Sequence, residues 1–373
     1  MSDRGVSSSR GASGPRAGRP QRRVEDHLTA SAVLRDRDWG VPELLPYLEA
    51  LEEGGAGDLT VLKTVARSSI IYQTGANHLA TRRALATFLS PAAVATWRAT
   101  LDDHIEQALS RLDAKPAADL VHDFVHPLFV GSARDIFGLR IHDAEQFFRD
   151  LAQARTFTEP MLRLRGLLDV QESFRSLAAA VPDRNAEVEQ TDALPTLAYA
   201  LAGQLPEGVD FATLVVSVTV AAHTAAESLA FAICGLLREG RAAWQRVAAP
   251  EWVQERLETV IRDYPSTLTL FRVAEADTRL QGAAVARGDL AALDIPRINR
   301  SLCVHAADGR AKALSFGEGA RKCPGAALAR LLLARALPAL SRRFPNLELI
   351  KDCVRFERSE MVQAPVALPC RLG

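Results

Sequence analysis

The stretch from Phe211 to Glu239 is the longest apolar run in the chain. As a helix it would be a rod about 43 Å long at 1.5 Å per residue, and a rod of that character has to be buried somewhere. Two interiors could take it. A bilayer needs roughly 20 consecutive apolar residues, but His223, Thr224, Glu227 and Ser228 stand at the centre of the run, where polar groups in lipid are costly. A helix that is apolar all round, with polar residues only at mid-length, fits the core of a large soluble domain. The reading is a core helix and no membrane partner.

The remainder from Val24 onward is mostly helical in pattern, punctuated by Pro and Gly. Pro91 to Leu112 reads as one helix with a stripe of Val94, Leu101, Ile105 and Leu109. Asp119 to Gln153 reads as two helices broken near Pro127 and Leu139. Strand signals are confined to Thr267–Ala274, Arg279–Leu290 and Val354–Leu372, where β-branched residues mix with Gly or Pro. The expected fold class is mainly α with small peripheral β-sheets, in one domain over residues 24–373. Residues 1–23 are Ser, Gly, Pro and Arg with almost no large apolar group. Such a segment cannot offset its ordering entropy by burial, so it reads as a disordered basic arm, and it lacks the apolar core of a signal peptide.

Composition narrows the function. With 48% hydrophobic and 24% charged residues, and 45 basic groups against 45 acidic, the chain is an ordinary globular protein with no bulk charge to hold nucleic acid or an anionic membrane. Aromatics at 6% give little material for stacking on single-stranded nucleic acid. Cys234, Cys303, Cys323, Cys353 and Cys370 form no CxxC pair, a usage that suits a reducing cytoplasm.

The most informative stretch runs from Leu314 through Phe316-Gly317-Glu318-Gly319-Ala320-Arg321-Lys322-Cys323-Pro324-Gly325 into Ala326 to Leu340. Two permissive glycines allow a tight turn before the cysteine. Pro324 suits the first position of a helix, so Cys323 is predicted at a helix N-terminus beside Arg321 and Lys322. Free amides, the helix dipole and two cations favour thiolate over thiol. A thiolate there is a nucleophile or a metal ligand. Zinc would want more Cys or His nearby; a dinucleotide loop would want a third glycine where Lys322 stands; a cysteine nucleophile would want a partner His placed by the fold.

Phe316-Gly317-x-Gly319-x-Arg321-x-Cys323-x-Gly325 resembles, position for position, the haem-binding loop of the cytochrome P-450 superfamily. The resemblance implies a P-450-like fold around a buried haem b (iron protoporphyrin IX), with Cys323 as the axial iron ligand, Arg321 on a propionate, and Phe316, Gly317 and Gly325 framing the loop. Thiolate ligation of this kind favours O–O cleavage. Asn77 to Arg83 is similar to the family's His-x-x-x-Arg helix, which implies that His78 and Arg82, one turn apart, also reach a propionate. Pro265 to Ala274 looks like the strand whose arginine does the same, here Arg272. The long helix then matches the one that crosses above the haem, where the family has an acid followed by a threonine. Ala221-Ala222-His223-Thr224-Ala225 keeps the threonine and carries His223 at the acid position.

Three departures stand out. His223 replaces an acid, so Thr224 and His223 are candidates for proton delivery or substrate positioning. Glu258 and Arg262 are four apart where the family has three. The segment between Asn299 and Phe316 is short for the family.

The function implied is oxidation of a small organic substrate, free or tethered to a carrier protein, with O₂ and electrons from a ferredoxin and ferredoxin reductase. Lys322, Arg330 and Arg335 would meet that acidic partner. Arginine far outnumbers lysine, which suggests a GC-rich bacterial genome and, by family analogy, secondary-metabolite tailoring in the cytoplasm. Two alternatives remain open: an enzyme of this fold that uses peroxide or catalyses coupling, isomerisation or dehydration, and a haem-free helper subunit. The substrate pocket is expected to include Arg67–Gly75 and parts of Phe157–Pro182.

Overall fold

A computed structural model describes residues 21–159, 162–183, 195–203, 205–305 and 312–373. Residues 1–20 of the expected basic arm lie outside that set.

The long helix Phe211–Glu239 is the axis of the molecule. It begins where the Asp210 side chain accepts from Thr213 N, an N-cap that satisfies one orphan amide. It ends at Gly240, whose φ of 106° suits only glycine. Around it pack the helices Thr60–Ser68, Ala144–Arg155, Leu164–Ala179 and Ala326–Arg343, with the strand Gln363–Ala367. Leu214, Val215, Leu229, Ile233 and Cys234 are fully buried by these neighbours, and each large apolar side chain contributes roughly 1.5–3 kcal/mol. The run is long and apolar enough to cross a bilayer, yet its partners are protein; it is a core helix, as its polar centre foretold.

Small sheets sit at the edge. In the largest, Gln21–Val24, Leu290–Asp294, Thr269–Ala274 and Trp39–Gly40 lie side by side in that order. Within the strand region expected at Arg279–Leu290, Thr278–Leu280 and Ala283–Val285 form a hairpin. Its turn residues Gln281 and Gly282 both have positive φ, which matches the right-handed twist of the strands. Arg355–Arg358 pairs with Gln363–Ala367, and Pro369–Arg371 pairs with Ala117–Asp119.

Three boundaries differ from expectation. Arg22 and Arg23, placed in the arm, belong to the edge strand. Its backbone pairs in parallel with Leu290–Asp294, and the Arg22 and Arg23 side chains bond the Ala284 carbonyl and Asp294. The predicted single helix Pro91–Leu112 is two, Pro91–Thr96 and Arg98–Ser110. The corner is Trp97, buried and tilted over Phe88 at 5.8 Å. Pro127 breaks nothing, because a π-helical turn Val121–Val125 leads directly into His126–Asp135 and leaves Pro127 in a first turn, where its missing N–H is tolerated. The break near Leu139 is present, at Gly138 with φ 83°.

Candidate active site

The cysteine loop is built by its glycines. Gly317 and Gly319 have φ of 62° and 70°, and a Cβ on Gly319 would run into the backbone carbonyl of Leu34. The loop closes where Cys323 N donates to Phe316 O at 2.9 Å. The helix that follows starts at Ala326 with Gly325 as its cap, so Pro324 stands just ahead of the helix and not at its first position. Cys323 is solvent-accessible. The surrounding protein nevertheless pushes its thiol pKa up, against the pull of the Gly325 and Ala326 amides and of Arg82 and Arg330. The expected amides are there, the cations that act on the sulfur are Arg82 and Arg330 where Arg321 and Lys322 were expected, and desolvation outweighs them in the protein alone. A thiolate at this place calls for a further positive charge at the sulfur.

Cations gather beside it. Arg321 donates to the Gln73 carbonyl at 2.7 Å and the Ile71 carbonyl at 3.4 Å, which ties the cysteine loop to the expected pocket segment Arg67–Gly75. Arg272 is buried in the strand Thr269–Ala274 and donates to the Phe271 carbonyl at 2.8 Å. Burial, then Arg321, lowers its pKa to about 10. His78 is buried in the helix Gly75–Leu89, with its pKa lowered to about 4 by burial and by Arg321 and Arg82. Among the described residues, none of Arg82, Arg272 and Arg321 forms an ion pair with a carboxylate, although the charge of Glu275 acts on Arg321. His78, Arg272 and Arg321 are each lowered by burial and by a neighbouring cation, with no carboxylate in ion-pair contact with the three arginines among the described residues, so the group has the chemistry to pair with a ligand that carries carboxylates of its own.

The long helix leaves one flank partly open. Ala221 is exposed, and Thr224, Ala225 and Ser228 are half-buried. Thr224 Oγ1 donates to the Ala221 carbonyl at 2.7 Å. His223 turns the other way. It is buried among Phe129, Phe148 and His126, at centroid distances of 5.2, 5.7 and 6.5 Å, and its pKa falls to about 3, chiefly through desolvation. Thr224 and His223, expected to act as a pair, therefore face different surroundings. A 100° step per residue separates them, and the apolar neighbours take the imidazole.

Behind the cysteine, both oxygens of Glu258 are held by Arg330, at 2.6 and 3.0 Å, while Arg262 turns to Asp263. Glu258, four residues before Arg262 where the family has three, is thus held by the helix that follows the cysteine. Arg335 is likewise engaged, with Asp102 at 2.7 Å through two bonds. Of the three cations expected to meet an acidic partner, Arg330 and Arg335 are thus committed inside the protein, and Lys322 is exposed. The two expected pocket segments do meet: Tyr72 Oη donates to the Phe157 carbonyl at 2.9 Å, and the two rings pack edge-on at 5.5 Å. Residues 160 and 161 of the second segment lie outside the described residues.

Sequence reading did not single out Glu227 and Arg155 as functional. Both are buried, and their nearest charged atoms are 3.4 Å apart. The signal was a carboxylate inside an apolar run, one turn after His223.

No family model matches the chain. The polyketide biosynthesis cytochrome P-450 PksS of Bacillus subtilis (strain 168) is 24% identical over 312 residues, covering 80% of this chain and 76% of that one. The epothilone C/D epoxidase of Sorangium cellulosum is 25% identical over 290 residues, covering 73% and 69%. Among solved structures, P450BioI in complex with hexadec-9Z-enoic acid-ligated acyl carrier protein superposes with a TM-score of 0.81 at 20% identity, over 94% of this chain and 92% of that one. The chain belongs to the cytochrome P-450 superfamily, as a bacterial-type member, and is a P-450-type oxidoreductase. The family implies a haem cofactor. The residues fit one: an accessible sulfur whose thiolate the nearby cations do not secure against desolvation, arginines without ion-paired carboxylates, and small side chains on the open flank of the long helix.

Proposed function

We propose that the protein is a haem b enzyme that oxidises a small organic substrate in secondary-metabolite tailoring, with Cys323 as the axial thiolate. The observation that carries this reading is the cluster of His78, Arg82, Arg272 and Arg321, its arginines without an ion-paired carboxylate among the described residues, beside the accessible Cys323 sulfur. Those four groups would hold the propionates, and Phe316, Gly317 and Gly325 would shape the loop that presents the sulfur. Bound haem supplies the oxidising chemistry. The chain supplies the ligand, the orientation and the exclusion of water, and Thr224 on the open face handles protons there.

The kinship with PksS and the epothilone epoxidase supports a tailoring role. The likeness to an acyl-carrier-protein complex supports a substrate presented on a carrier protein. Electrons come from a ferredoxin and its reductase, in the cytoplasm. As an enzyme, the chain is not the haem-free helper considered from sequence.

The test is turnover of acyl chains on a carrier protein against the same chains free. A ferredoxin–reductase system with O₂ should give oxygenated product, with the carrier-bound form preferred. Product with hydrogen peroxide and none with the reductase system would favour the peroxide-dependent reading, for which His223, standing before Thr224 where the family has an acid, speaks.

A further inference from the structure

Four helices pack in a ring, each against the next: Arg98–Ser110, His126–Asp135, the long helix, and Ala326–Arg343 after the cysteine. Between them lies a cavity of about 30 Å³, reached by Leu101, Phe129, Ala226 and Leu332, one from each helix. That is about two to three times the ~10–15 Å³ that a single water needs. It is room for a molecule of two or three atoms and too little for an organic substrate. The long helix keeps the space open by presenting only alanines on two of its turns, Ala222, Ala225 and Ala226. A larger side chain at any of them would reach into it.

Water is a poor occupant of this cavity. Among the described residues, Ser132 is the one polar side chain in its wall. Its hydroxyl already donates to the Leu128 carbonyl at 2.9 Å, so it offers no donor to a guest. A buried water wants two to four polar partners, and apolar cavities without them stay dry and take up apolar guests such as xenon. An apolar diatomic molecule gains by leaving water and by dispersion contacts with the close-set side chains.

We propose that this cavity is a binding site for dioxygen, held between the long helix and the cysteine helix as a supply to the haem site. The inference rests on the haem-enzyme reading above, in which O₂ is consumed. The place of the cavity supports the assignment. Leu101, Leu128 and Leu229 are fully buried in its wall, whereas Ala225 and Leu328 line it and are half-buried. Ala225 directly follows Thr224, and Leu328 stands in the first turn of the helix that begins after Cys323. The wall therefore opens at the residue next to the threonine and at the start of the cysteine helix. A site of this kind has no charge or hydrogen bond with which to choose among small apolar gases, so xenon competes with dioxygen for it.

The test uses the haem-loaded protein. Crystals held under xenon should show a xenon atom against Leu101, Phe129 and Leu332. Dioxygen binding to the reduced protein, followed after flash photolysis of its carbon monoxide complex, should slow severalfold under xenon. Ala226→Val, whose added methyl groups fill the cavity, should bind no xenon there, should be slow without it, and should not respond to it. A carbon monoxide spectrum of Ala226→Val like that of the parent shows that cofactor binding survives, which separates failure of the gas site from failure of the haem reading. A parent cavity without xenon overturns the proposal. Xenon in the cavity with a dioxygen rate that it leaves unchanged overturns the supply role. Should Ala226→Val not fold, those two measurements on the parent decide.

Discussion

Glu258 grips Arg330 through both carboxylate oxygens, and Arg330 lies over the ring of Phe316 at 4.6 Å. Phe316 is the residue whose carbonyl receives the Cys323 amide, so the pair braces the loop that presents the sulfur. Ser315 adds a second brace, donating to the Ile261 carbonyl at 2.8 Å and accepting from Asn299 at 2.9 Å. Both braces tie the cysteine loop to the helix Trp252–Asp263. Glu258→Gln should therefore cost about 1 kcal/mol, since the pair is partly exposed, and should broaden the thiolate-type carbon monoxide band. Thermal melts and spectra side by side check it; a variant identical to the parent in both removes the bracing role.

The two ends of the loop should respond oppositely to an added methyl group. Gly319→Ala forces a side chain into positive φ against the Leu34 carbonyl and should cost upwards of about 2 kcal/mol, with loss of bound haem. Gly325 has φ −83°, and its Cβ would sit 3.9 Å from the Cys323 sulfur in ordinary contact. Gly325→Ala should leave the melting of the haem-free chain within about 0.5 kcal/mol. Comparable losses in both would mean that the backbone conformation is not what the loop demands.

Arg272 gives a sign reversal. In the haem-free chain it is a buried cation without a carboxylate, its pKa pulled down to about 10. Arg272→Met, which keeps the length and drops the charge, should raise the melting temperature of the haem-free protein while accelerating haem loss to an acceptor protein about tenfold, the loss of one charge-assisted bond. If haem loss is unchanged, Arg272 is not a propionate partner.

Acid sensitivity follows from the buried imidazoles. His126 and His223 have folded pKa values of about 4 and 3 against 6.5 unfolded, so the unfolded chain binds more protons in that interval and stability falls as pH drops from about 6.5. Glu227 works the other way: raised to about 7 from 4.5, it favours the fold at low pH and loses that contribution as pH rises through 7. With His78, also lowered to about 4, three histidines against one carboxyl predict a net decline in melting temperature between pH 6.5 and 4, shallower in His223→Gln. An acid limb of equal slope in that variant would show that His223 is not held neutral.

Much of this was legible in the chain. The glycines, Arg321 and Cys323 are local in sequence and carry their geometry with them, and the apolar run with a polar centre announced a core helix. What could not be read depends on how separate elements meet. Nothing near Glu258 says that its partner lies 72 residues on in Arg330. His223 looked like a substitute for the family's acid because it precedes Thr224, yet one residue along a helix is a 100° turn, and the rings of Phe129 and Phe148 decided its environment. Arg22 and Arg23 read as a polar tail because the strand they join, Leu290–Asp294, lies far away in sequence.

The central claim is that the Cys323 sulfur and the cluster of His78, Arg82, Arg272 and Arg321 together hold a haem. The most direct measurement is the absorption spectrum of the dithionite-reduced protein under carbon monoxide, beside Cys323→Ala. The account predicts a strongly red-shifted Soret band in the parent that is absent in the variant. A folded, monodisperse parent that takes up no haem on reconstitution, or a band that survives loss of the sulfur, would contradict it.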